Sequence, residues 1–375
     1  VIFVLELSAI AMIVTATRVI AAGGLTLITT RDVRVSGNRL TSPHLVFACC
    51  DAPSEDKALG SAFTDPRVVA DLKQIHAGVA VALSDFGANR ARLVHQLNQA
   101  GIPVTCWFVL PEQQGYFLNT ANASEAEVRF AALKQWTAAE DLRWQGIVLD
   151  IEPSLQEFSA LKNGGRWGLF ANLFRRGLNA QQVTRANQTY AALIAKMQSD
   201  GYFVETSQMP FIVAERRAHT TLLERLLGIV NVRGNVEVLM LYTSPVPSID
   251  SAMVWVLGPE AQAIAVGSTI GEGALDWTQF SRDLIVASHF ANLVGIYDLE
   301  GSVRQGFLPR LKTMDWGQSV TIPAAAVRKA ALLHSLAPSV LWTVSRLPYL
   351  AAIVLLADVW LIWARTRRRS FERGI

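Results

Sequence analysis

From about residue 43 to residue 316, short apolar runs alternate with longer stretches of helical periodicity. Eight runs have strand length and are rich in β-branched or aromatic residues. They are HLVFACC, GVAVALSDF, IPVTCWFVL, GIVLDIE, YFVETSQMPF, VEVLMLY, AIAVGST and LVGIYDLE. Between them, stretches such as RVVADLKQIHA, NRARLVHQLNQA, EAEVRFAALKQWTAAEDL and TYAALIAKMQSD repeat apolar residues at helical spacing. Gly78, Pro103, Gly146, Gly201, Gly234 and Gly295 punctuate the strand edges. Strands alternating with helices build a parallel sheet covered by helices. Eight such units over this length predict an α/β fold, a (β/α)8 TIM barrel spanning 43–316. An open doubly wound sheet would carry a glycine-rich turn after its first strand, and CCDAPSED has none.

The apolar pattern changes character at the two ends. Residues 1–30 are apolar but carry Glu6 and Arg18, and they read as an N-terminal signal anchor or transmembrane segment. In the region 336–364, the run LPYLAAIVLLADVWLIWA is about long enough to span a bilayer and is broken only by Asp358. The tail 365–375 carries five arginines. Positive charge abutting a span marks the cytoplasmic side, which predicts a cell-membrane protein with a cytoplasmic tail, an extracytoplasmic barrel and the lipid bilayer as a partner.

Composition adds limits. Half the chain, 51%, is hydrophobic and 17% is charged, with a net charge of +3. Outside the arginine tail the balance is slightly acidic, which argues against nucleic acid as a partner. There is no H-E-x-x-H, Walker loop or G-x-S-x-G elbow, so metal, nucleotide and serine-hydrolase chemistry are not indicated, and no cofactor is implied. The cysteines are Cys49, Cys50 and Cys106. Neighbours on a strand face opposite ways, so at most one of the first two is expected to meet Cys106, and each reads as a small buried apolar residue.

GIVLDIEP is the segment richest in chemistry. Asp150 and Glu152 are two apart on a strand, so both point to one face at the barrel mouth, where TIM-barrel active sites form. Two carboxylates held close resist ionising together, which makes one of them a proton donor near neutrality. Around the same rim the pattern offers Tyr242, Gln208 rather than Glu205 on the fifth strand, and the aromatic Trp107 on the third. On the last two strands it offers Glu272, Tyr297, Asp298 and Glu300.

The fourth strand resembles the chitinase-type barrels of glycoside hydrolase family 18. Gly146, Asp150 and Glu152 match that family's glycine, last aspartate and glutamate in D-G-x-D-x-D-x-E. Met240-Leu241-Tyr242 resembles its M-x-Y on the sixth strand, and GIYDLEG its closing strand, with Tyr297 where the family has tryptophan. Val148 replaces the middle aspartate, and Thr243 the aspartate after the tyrosine. The resemblance implies a glycosidase acting on a polysaccharide or oligosaccharide. Glu152 would be general acid/base, Asp150 would orient it, and Tyr242 would assist catalysis. Gln208, Trp107, Tyr297 and Asp298 would bind the sugar. Hydrolysis and transglycosylation use the same residues. A barrel that binds a glycan or protein without catalysis is the alternative.

Overall fold

The computed structural model describes residues 31–37, 42–154 and 180–347. The chain divides into two compact units, one of residues 29–213 with 223–330, the other of 1–28, 214–222 and 331–375.

The first unit is the barrel. Outer strand β1 (Val33–Ser36) comes first, then the eight barrel strands. These are β2 (His44–Cys49), β3 (Gly78–Ala82), β4 (Val104–Phe108), β5 (Gly146–Asp150), β6 (Val204–Gln208), β7 (Val236–Met240), β8 (Ala263–Gly267) and β9 (Leu293–Tyr297). All eight pair in parallel, in sequence order, and β9 returns to β2 to close the ring. The expected (β/α)8 barrel is therefore present, and an open sheet is excluded. Closure removes both sheet edges, so each strand satisfies its backbone on two sides. A tenth strand, β10 (Ser319–Ile322), pairs antiparallel with β1 outside the ring.

The covering helices start where local chemistry dictates. α1 (Pro66–Gln74) opens with proline behind Asp65, whose side chain accepts from the Arg67 N–H. α2 (Ala88–Gln99), α3 (Ala123–Ala139) and α4 (Ala180–Ser199) follow. α5 (Trp277–Phe290) carries a complete capping box between Asp276 and Gln279. α6 (Leu299–Arg304) starts behind Asp298, whose side chain accepts from the Gly301 N–H. Fully buried Phe47, Phe108, Phe130 and Phe280 belong to one apolar core between strands and helices.

In the second unit, residues 331–347 are helical, and Arg217 Nη1 lies 2.8 Å from His334 Nε2. The expected membrane location is overturned here. Among the described residues no helix is long and apolar enough to cross a membrane. The described part of the 336–364 region carries Pro338, Ser339, Thr343, Ser345 and Arg346, which dilute its apolar character. The N-terminal segment 1–30, residues 348–364 and the tail 365–375 lie outside the described residues.

The cysteine expectation holds for Cys106 and fails for its two companions. Cys49 and Cys50 form a disulfide with each other, and Cys106 is free and buried. Strand alternation does not apply to this pair, because β2 ends at Cys49 and Cys50 turns into the left-handed region at φ 69°.

Candidate active site

Alternation along the barrel strands sends every second side chain inward. On β5 that phase turns Val148 and Asp150 into the barrel, and hydrogen bonds carry it one step past the strand. The Leu118 N–H donates to the Asp150 carbonyl at 2.9 Å, and the Ile151 N–H to the Ser207 carbonyl at 3.2 Å. Ile151 is buried, while Glu152 faces the same cavity as Asp150.

That cavity holds about 310 Å³ and follows the barrel interior. Its mouth is formed by Asp51, Phe117, Glu152, Tyr242, Ser244 and Ser268, and its middle by Trp107, Asp150, Ser207, Met240 and Tyr297. The aromatic walls are arranged by mutual contact. Trp107 meets Tyr297 edge-on at 6.2 Å between centroids, and Tyr242 lies 6.0 Å from Tyr297. Apolar walls with a few converging polar groups are the usual make-up of a small-ligand site.

The two central carboxyls are electrostatically unequal. Burial raises the Asp150 pKa. The Trp107 Nε1–H, donating to Asp150 Oδ2 at 2.9 Å, opposes the rise, and the charge of Asp51 adds to it. Burial also raises Glu152 well above an ordinary glutamate, and the Asp150 charge pushes it further. The indole hydrogen bond favours ionised Asp150, so Glu152 is the group that keeps its proton. Burial, then the charges of Asp150, Glu152 and Tyr297, hold the Tyr242 phenol neutral far into the alkaline range.

Asp150, Glu152, Tyr242, Trp107 and Tyr297 thus meet at one cavity. Gln208 and Asp298 do not. The inward residues of β6 are Glu205 and Ser207, and Gln208 points away, its Nε2–H₂ donating to the Val230 and Val232 carbonyls at 3.3 and 3.1 Å. Alternation from the inward Glu205 and Ser207 puts Gln208 on the outer face with Val204 and Thr206, whatever its nearness to the rim. Asp298 spends its side chain on capping α6. Of the other acids of the last strands, Glu272 is exposed and absent from the cavity lining, and Glu300 Oε1 accepts from the Cys50 N–H at 2.9 Å.

Asp51 escaped the sequence reading. It follows the cysteine pair at the end of β2, lines the mouth and accepts from the Tyr116 hydroxyl. Its segment is clamped by the buried Arg90 of α2. Arg90 Nη1 donates to the Cys50 carbonyl at 2.8 Å and also to the Ala82 carbonyl, and Nη2 donates to the Ala52 carbonyl at 2.7 Å. Position directly after the first barrel strand was the signal that could have found Asp51.

No protein-family model matches this chain, and no curated protein is significantly similar to it. Among solved structures it is similar to a D-allulose 3-epimerase from Methylomonas sp. (TM-score 0.41, 9% identity, covering 74% of this chain and 99% of that one). It is also similar to a family 1 β-glucosidase from Thermotoga maritima (0.41, 9%, 70% and 89%). A third similarity is to ScGas2 (0.37, 12%, 72% and 60%). At these scores the likeness carries no argument about activity, which rests on the chain's own residues.

Proposed function

We propose that this chain is a carbohydrate-active enzyme, a glycoside hydrolase or transglycosylase of chitinase-like descent, with Glu152 as general acid/base. The observation that carries the reading is that Asp150 and Glu152 line one aromatic-walled cavity, Glu152 at its mouth and Asp150 one step below, where burial and the Asp150 charge both favour the protonated form of Glu152. Cleaving a glycosidic bond requires a proton at the leaving oxygen and stabilisation of positive charge at the sugar carbon. Glu152 supplies the first. The Asp150 carboxylate, oriented by Trp107, supplies the second, and Tyr242 offers a neutral hydroxyl beside it. Trp107 and Tyr297 give the sugar a partly apolar wall.

The test is Glu152→Gln, measured on glycosides with good and poor leaving groups. The amide keeps shape and hydrogen-bonding reach but delivers no proton. Turnover of substrates with poor leaving groups should fall by about 10²–10⁴-fold, the ordinary worth of general acid catalysis, while activated substrates partly escape. Equal loss on both kinds of substrate would count against the acid role. The second reading, a non-catalytic glycan-binding barrel, is favoured by Val148, an apolar wall where the chitinase-like pattern carries a carboxylate. It prevails if wild type and Glu152→Gln bind a glycan alike and neither turns it over.

A further inference from the structure

The interior of a (β/α)8 barrel is ordinarily packed solid by layers of branched side chains. Here several inward positions carry small residues, among them Ala48, Ala80, Ala265 and Gly295. The space they leave lets the cavity continue below the Asp150 layer towards the strand starts, where Leu293, the first residue of β9, still lines it.

Polar groups face this inner part and the layer just above it. Glu205 and Thr105 are each the second residue of their strands, and Ser207 lies level with Asp150 in the β5–β6 register. Glu205 is one inward step below Ser207, roughly 6–7 Å at the usual strand rise. All three line the cavity. No hydrogen bond joins their side chains to other described residues. A carboxyl among apolar walls with no protein partner is costly to hold unless something else hydrogen-bonds it. Burial pushes Glu205 up to about 7, so up to neutrality much of it is the neutral acid, a donor as well as an acceptor. Together with two hydroxyls, this is a set suited to neutral hydroxyl groups.

We propose that the inner end of the cavity is a hydroxyl-recognising subsite, in which Glu205, Thr105 and Ser207 hold the terminal sugar ring of the glycan. The inference rests on the reading of this cavity as a glycan site and narrows its substrate. A polymer lying across the rim would have no reason to descend the barrel axis, whereas a chain end can enter it. The cavity's 310 Å³ is at the low end of ligand pockets, which run from roughly 300 to 1,000 Å³, and suits a monosaccharide-sized group rather than a polymer segment. The enzyme would then act from chain ends and release or transfer single sugars.

The experiment uses the full chain and 4-nitrophenyl glycosides of glucose, galactose, mannose and N-acetylglucosamine, with the matching methyl glycosides as binding probes by calorimetry. Glu205→Leu should raise KM by about tenfold or more, the scale of losing a hydrogen bond to the ligand, with a smaller change in kcat. Glu205→Gln, which keeps a donor and an acceptor, should stay within about threefold of wild type. Thr105→Val, nearly the same shape without the hydroxyl, should raise KM in the same direction and guards against misfolding of the leucine variant.

Unchanged KM in both Glu205→Leu and Thr105→Val overturns the subsite, as does release of internal fragments alone from an oligosaccharide of the preferred sugar. If the wild type turns over none of the glycosides, methyl-glycoside binding decides. Binding kept in Glu152→Gln and lost in Glu205→Leu leaves the subsite standing while the catalytic reading falls. Equal binding by Glu205→Leu, or no binding by the wild type, overturns the subsite.

Discussion

Asp150 and Glu152 share one cavity but not one environment, and the difference is a single indole. Trp107 donates to Asp150 and to no atom of Glu152 among the described residues, so negative charge settles on Asp150 and the proton on Glu152. The pH dependence follows with a definite sign. An acid that must be protonated sets the basic limb of the activity profile. The Asp150 charge raises Glu152, so Asp150→Asn removes that push and should move the basic limb to lower pH, besides slowing the reaction. Trp107→Phe removes the hydrogen bond that favours ionised Asp150 and should lower kcat with less effect on the limb's position. Profiles of kcat/KM for both variants check this, and a limb unmoved in Asp150→Asn would uncouple the two carboxyls.

At the level of elements, the first βα turn is held from two sides. Arg90 on α2 donates to the carbonyls of Cys50 and Ala52, and Glu300 of α6 accepts from the Cys50 N–H. The guanidinium also pairs with Asp85 at 3.2 Å. Burial of Asp85 works against its ionisation, but hydrogen bonds from Arg90 and Ser54 outweigh it and hold the carboxyl well below the ordinary range. Arg90 is fully buried, so its planar fork is irreplaceable by the single point charge of lysine. Arg90→Met should cost about 3 kcal/mol, the scale for leaving buried partners of a charged group unsatisfied. Urea unfolding measures that. A milder substitution, Arg90→Lys, should retain the fold while loosening the turn that carries Asp51, read as a rise in KM. A midpoint unchanged in Arg90→Met would show that the clamp contributes nothing.

Across the whole molecule, buried carboxyls make the barrel's stability pH-sensitive. Glu205 rises from an ordinary 4.5 to about 7 and Asp283 from 3.8 to about 6, both chiefly through burial. The folded state therefore binds more protons than the unfolded chain across that window. The stability these groups allow is fully present below about pH 4 and is lost as pH climbs through 6 to 7. Glu205→Gln removes one such group, so its melting temperature relative to wild type should increase between pH 5 and pH 8. The gain would be up to about 3 kcal/mol for a shift of this size. Scanning calorimetry at both pH values tests it, and a constant difference would mean that Glu205 is already solvated.

Much of this architecture was legible in one dimension. Eight apolar runs and their glycine and proline edges determined the barrel, because burial on both faces of a parallel strand writes a continuous apolar string. The spacing of Asp150 and Glu152 determined that they share a face, because side chains on a strand alternate. What only the tertiary structure decided was phase and partnership. Ser207 or Gln208 could face inward on the pattern VETSQ, whose outward residues include Thr206 and Gln208, polar side chains buried against the helix layer. Loop carbonyls at Val230 and Val232, far along the chain, chose between them. Cys49 met Cys50 rather than Cys106 because the backbone reverses its hand at the strand end. The inner cavity is invisible in any one segment, since it arises only where small residues of several strands face one another across the closed ring.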